Sequence, residues 1–128
     1  MRKGRKGTIM VALVALMVAV SASIVLAANV QCSDIPCYGT AQNDTIYERS
    51  GNGVRDTVYG RGGDDRIYAS TFGGDIDYIF GKAGNDRLGA RDGDGRDLLV
   101  GGHRGFDRCF GGPRDSYKDC EVINGVVQ

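Results

Sequence analysis

The chain is 128 residues long, which bounds it to about one domain. It has 21 glycines, four cysteines, one histidine, no tryptophan, and 16 basic residues against 16 acidic ones. Four of the basic residues, Arg2, Lys3, Arg5 and Lys6, fall within the first six positions, so the remainder carries 12 basic against 16 acidic groups, a net of −4. A mildly acidic body is a poor nucleic-acid binder and a reasonable cation binder, so nucleic acid is set aside as a partner.

The first element is a leader. After the basic start, Thr8 to Leu26 is apolar except for the small polar break Ser21-Ala22-Ser23, and Ala27-Ala28 follows. A charged start, an apolar run and small residues before a polar segment predict a secretory signal peptide over residues 1–27, helical before cleavage. The alternative is an uncleaved anchor, because Ile9 to Leu26 is long enough to just span a bilayer. The first reading makes the protein extracellular or secreted. The second leaves it membrane-anchored at the cell surface, and only then is a membrane a partner.

Cys32 and Cys37 mark an N-terminal cap at residues 28–38, and Cys109 and Cys120 lie near the other end. An even count in a small exported chain reads as disulfides. Of the three possible pairings, the local one, Cys32–Cys37 with Cys109–Cys120, is favoured. Counting 21 residues from Leu99 puts Cys120 at an inward strand position, where a thin fold brings it near Cys109. The rival, a four-cysteine zinc site, fits the C-x10-C spacing badly.

Between the caps one unit recurs. Gly81-Lys82-Ala83-Gly84-Asn85-Asp86-Arg87-Leu88-Gly89 returns as Gly60–Tyr68, Gly39–Tyr47 and Gly102–Phe110. Its closing aspartates, Asp44, Asp65, Asp86 and Asp107, are spaced by 21, 21 and 21; a second series, Asp56, Asp77 and Asp97, is spaced by 21 and 20. The interleaving predicts a coil of about 21 residues with two turns and two strands. One side, side A, keeps the compact turn. The other, side B, carries insertions such as Glu48-Arg49-Ser50 and Ala69-Ser70-Thr71, as a stacked solenoid allows on one face.

The strands are three or four residues long. Alternation points the middle residue inward, giving a ladder of Ile46, Val58, Ile67, Ile79, Leu88, Leu99 and Cys109. Tyr47, Tyr59, Tyr68, Phe80 and Phe110 then face outward as two broken stripes. They serve either as cross-strand stacking or as a docking surface. One thin ladder supplies little apolar burial, and carboxylates stacked in register repel, so the sequence needs cations between its coils.

At Gly60–Tyr68 and Gly81–Gly89 the chain resembles the hemolysin-type, or RTX, calcium-binding family, whose nonapeptide G-G-x-G-x-D-x-U-x, with U a large apolar residue, forms a parallel β-roll. The likeness runs from about Gly39 to Glu121 and is degenerate on side B. It implies an all-β, right-handed parallel β-roll (a β-solenoid) of about four coils, with the roll proper at residues 39–110 and a degenerate cap at 111–128. It also implies calcium held by the closing aspartates and turn carbonyls: three gaps among Asp44, Asp65, Asp86 and Asp107, and two less regular ones among Asp56, Asp77 and Asp97. About three to five ions follow. Calcium takes six to eight oxygens, which such turns can offer.

The remaining polar residues read more plainly. Asn43, Asp64 and Asn85 are turn formers. Asp92 and Asp94 mimic half an EF-hand loop that lacks its closing glutamate. His103 is a solvated turn residue. Lys118 stands where a closing aspartate is due, which marks the last coil as a cap. No catalytic constellation is visible, so no enzyme is expected. The sequence therefore predicts a secreted calcium-binding β-roll with a structural or binding role outside the cell. The alternatives are an adhesion module for a protein or glycan, and an accessory to a secreted enzyme.

Overall fold

The computed structural model describes residues 27–32, 36–48, 55–69, 76–91, 93 and 96–128. Residues 1–26 of the predicted leader lie outside them, as do Asp92 and Asp94. The described residues are all-β, with twelve strands: β1 Asn29–Cys32, β2 Cys37–Tyr38, β3 Thr45–Glu48, β4 Thr57–Gly62, β5 Arg66–Tyr68, β6 Tyr78–Ala83, β7 Arg87–Ala90, β8 Leu98–Arg104, β9 Arg108–Gly111, β10 Ser116–Lys118, β11 Val122–Ile123 and β12 Val126–Val127. Apart from β12, odd strands form one sheet in the order β1-β3-β5-β7-β9-β11, which β12 closes; even strands form the other in the order β10-β8-β6-β4-β2.

Each strand pairs in parallel with the strand two places on, except that β12 turns back antiparallel on β11. The chain is therefore a β-solenoid. Three full turns of 21 residues separate Asp44 from Asp107. Register follows the sequence repeat: Ile46 faces Ile67, Ile67 faces Leu88, and Leu88 faces Cys109. On the other sheet Val58 faces Ile79, and Ile79 faces Leu99. All seven of these residues are fully buried and form the core. The inward period of two is what fixes this register, since a one-residue slip would turn the whole ladder to solvent.

Both local disulfides are present, Cys32–Cys37 and Cys109–Cys120. The route to the second differs from the sequence count. Tyr117, not Cys120, lies opposite Leu99, because Ser116 pairs with Leu98. The last coil is 18 residues long rather than 21, so Asp115 rather than position 118 precedes the strand. Cys120 sits just beyond β10, where it still reaches Cys109.

Among the described residues, four of the five outward residues, Tyr47, Tyr59, Tyr68 and Phe80, take part in ring stacking, Phe110 does not, and Tyr38 joins them. Tyr38, Tyr59 and Phe80 form one ladder with centroids 5.2 and 5.1 Å apart, and Tyr47 stacks on Tyr68 at 5.3 Å. Arg61 lies over Tyr38, and Lys82 over Tyr59 and Phe80.

Candidate metal centre

Side A is a column of buried carboxylates. Asp44, Asp65, Asp86 and Asp107 are each at most 2% exposed. Their Oδ1 atoms bind the coil before. Asp65 Oδ1 accepts the Asp44 N–H at 2.8 Å, Asp86 Oδ1 that of Asp65 at 2.9 Å, and Asp107 Oδ1 that of Asp86 at 2.8 Å. Each of these three aspartates thus satisfies a backbone donor 21 residues upstream, which locks the coil spacing. The column is closed at one end by Ala28 N–H on Asp44 Oδ1 and at the other by Asp107 N–H on Glu121 Oε2.

The second oxygens differ along the column. Asp44 Oδ2 accepts the Thr40 N–H and hydroxyl within its own turn. Buried Oδ2 of Asp65, Asp86 and Asp107 has no hydrogen-bond partner. Three interior carboxylates are therefore each left with one open oxygen, which is costly unless something positive meets it.

The glycines are shaped around these atoms. A Cβ on Gly60 would collide with Asp65 Oδ2 and the Gly81 carbonyl, and one on Gly81 with Asp86 Oδ2. At Gly101 it would meet Asp107 Oδ2 and the Asp119 carbonyl. Carboxylate and carbonyl oxygens therefore converge where a side chain would otherwise sit. That is the donor set of a hard cation such as calcium.

Burial pushes the Asp86 carboxyl up to about 7 and Asp65 up to about 6, and it raises Asp107 as well. The stacked neighbours add to this: Asp44 acts on Asp65, and Asp65 and Asp107 act on Asp86. Desolvation outweighs the like-charge repulsion anticipated from register alone, and the backbone N–H each accepts works in the opposite direction.

Side B carries the second column. Asp77 Oδ1 accepts the Asp56 N–H at 3.4 Å, Asp97 Oδ1 that of Asp77 at 2.8 Å, and Asp115 Oδ1 that of Asp97 at 3.1 Å. Glu48, Asp56 and Asp77 are buried, with carboxylate oxygens within 4.8 Å of one another. Glu48 escaped the sequence reading because it belongs to an insertion and not to a closing position. Its parity was the available signal: it lies two residues beyond inward Ile46, as buried Ala69 lies two beyond Ile67. Asp115 and Glu121 were missed as well, since both coils that they close are short.

Asn43, Asp64 and Asn85 do act as turn residues, but between coils. Their Oδ1 atoms accept the N–H of Asp64, Asn85 and Phe106, at 2.7, 2.8 and 2.8 Å. This exposed ladder runs parallel to the buried one. His103 is 87% exposed, with Nδ1 3.9 Å from Asp119 Oδ2.

Residues 73–102 match the model of the RTX calcium-binding nonapeptide repeat, in four copies. No curated protein and no solved structure matches the chain. The match covers 30 of the 128 residues, and it falls on β6, β7 and most of β8, the middle of the solenoid. Residues 73–102 thus match RTX calcium-binding repeats, and calcium is the ion such repeats bind. One departure from the family pattern is structural. Arg61 and Lys82 stand where the second glycine is usual, and both have positive φ, 83° and 86°. Bulky residues rarely adopt that region, and here it carries the two cations over the outer rings.

Proposed function

We propose that this protein is an exported calcium-binding β-roll that folds around its ions and serves a structural or binding role outside the cell, without catalysis of its own. The observation that carries this reading is the set of orphaned, buried Oδ2 atoms on Asp65, Asp86 and Asp107, each beside a glycine that makes room for it. On side A the ligands are Asp44, Asp65, Asp86 and Asp107 with turn carbonyls. On side B they are Asp56, Asp77 and Asp97, with Glu48 joining the first gap. The full complement is three to five ions. When bound, calcium supplies positive charge that the thin core and the stacked carboxylates lack.

Export rests on the leader pattern and on the paired cysteines, since disulfides persist in oxidising compartments. Calcium at millimolar levels is an extracellular condition that suits weak, shared sites. Equilibrium dialysis of the exported chain against labelled calcium tests the binding claim: several ions per chain are expected, and none would overturn it. Mass spectrometry tests export, with a mature start near Ala28 or Asn29 expected; an intact Met1 in the membrane fraction would favour the anchor instead.

A further inference from the structure

The outer face of the odd-numbered sheet has a gap in its aromatic stripe. Tyr47, Tyr68, Gly89 and Phe110 lie in one register row on adjacent strands. Three of the four are aromatic and the fourth has no side chain. Nothing in the fold requires that glycine. Its φ is not in the left-handed region, and a Cβ there would meet only Tyr68 Cδ1 at 3.5 Å and the Ile67 carbonyl at 3.7 Å, which are ordinary contacts. Gly60 and Gly81, by contrast, could not take one. Glycine within a strand weakens it, and it often marks a place where something else approaches closely.

The gap opens a cleft of about 310 Å³ lined by Tyr68, Ala69, Arg87, Leu88, Gly89, Arg91 and Phe110. Its two walls differ. Tyr68 presents a ring. Phe110 is overlaid by the guanidinium groups of Arg87 at 4.6 Å and Arg91 at 5.6 Å. Beside the cleft, Arg66, Arg87 and Arg108 face one another in register. Like charges directly opposite destabilise a sheet, yet the part of the chain after residue 6, with 12 basic against 16 acidic groups, places three arginines in a row along its aromatic stripe. Among the described residues no carboxylate forms an ion pair with any of them. A second cleft of similar size, at Phe80 and Val100, has Asp119 among its bases and so lacks this one-sided charge.

We propose that the cleft binds one acidic residue of a polysaccharide, with its ring laid on Tyr68 above Gly89 and its carboxylate held by Arg87 and Arg91. A sugar ring offers polarised C–H bonds to the negative face of Tyr68. Its hydroxyl edge stays in water at the open mouth, where an aromatic acid would leave an apolar face wet. Guanidinium forks that are already stacked are pre-organised for a carboxylate. The arginine row, stepping by about 4.8 Å per strand, extends the site for a chain that repeats its charge. The inference rests on the fold and not on where the protein acts.

The test uses the calcium-loaded, disulfide-intact chain and a tetrasaccharide of alternating glucuronate and N-acetylglucosamine, titrated by calorimetry, with circular dichroism on the same samples to report folding separately. Neutral N-acetylglucosamine tetramer and benzoate are the comparison ligands. The acidic tetrasaccharide should bind, with both comparison ligands weaker by about tenfold or more. Gly89→Tyr completes the aromatic ladder, so it should keep or raise the melting temperature while binding falls by about tenfold or more. Arg87→Gln with Arg91→Gln should lose binding to a similar degree. Equal binding by Gly89→Tyr, equal binding of the neutral tetramer, tighter binding of benzoate, or no binding by a chain that dichroism shows to be folded would each overturn the proposal. A chain without strand signal in calcium would instead contradict the calcium-folded reading.

Discussion

Asp86 uses its two carboxylate oxygens for different ends: Oδ1 accepts the backbone N–H of Asp65 at 2.9 Å, while buried Oδ2 has no protein partner. One atom sets the spacing between coils and the other faces a space kept open by Gly81. The two roles are separable by mutation.

Asp86→Asn retains an oxygen acceptor for the Asp65 N–H but removes the charge. The calcium-free form should become more stable at pH 8, and the gain on adding calcium should shrink. Asp86→Ala loses both roles and should cost about 3 kcal/mol or more in calcium, the range for breaking a buried charged network. Asp97→Ala should be milder, because the side B column is the less regular one. Thermal melts of the three variants with and without calcium check the ranking.

Without calcium, acid should favour the fold. Burial raises Asp65 to about 6 and Asp86 to about 7, from the ordinary 3.8. Between pH 4 and pH 7 the folded chain therefore holds protons that the unfolded chain has released, and stability falls as pH rises through that window. Calcium reverses the trend, since it needs the ionised carboxylates and competes with protons. In chelator the strand signal should be lost as pH rises from 4 to 7, whereas in calcium the melting temperature should rise over the same range. A pH trend of the same sign in both would contradict the assignment.

Two glycine-to-alanine changes should move stability in opposite directions. At Gly81 the added Cβ strikes Asp86 Oδ2, so Gly81→Ala should destabilise the calcium-loaded form by about 2 kcal/mol or more. At Gly89 the added Cβ makes only ordinary contacts, so Gly89→Ala should be neutral or stabilising by about 0.5–1 kcal/mol. Denaturant midpoints in calcium give both values.

Much of this was legible in the sequence for a definite reason: in a solenoid the repeat period is the coil length, so Asp44, Asp65, Asp86 and Asp107 had to form one column. The inner ladder followed from strand parity. What escaped was whatever departs from the period. Asp115 closes a coil three residues short, which displaced the inward position from Cys120 to Tyr117. Glu48 reaches the side B column from the end of a strand and not from a turn. The split between the two oxygens of each aspartate could not be read from spacing, because it depends on which turns supply a local donor, as Thr40 does for Asp44.

The most direct test of the central claim is a calcium titration of the disulfide-intact chain at pH 7.5, followed by far-ultraviolet circular dichroism. In chelator the repeat body should show little strand signal, with order confined to the disulfide-pinned ends. Calcium should bring in strand signal cooperatively, because neighbouring ions share an aspartate, and magnesium should substitute poorly because it demands tight octahedral geometry. A chain that is fully β-structured in chelator, and whose spectrum and melting calcium leaves unchanged, would contradict the account.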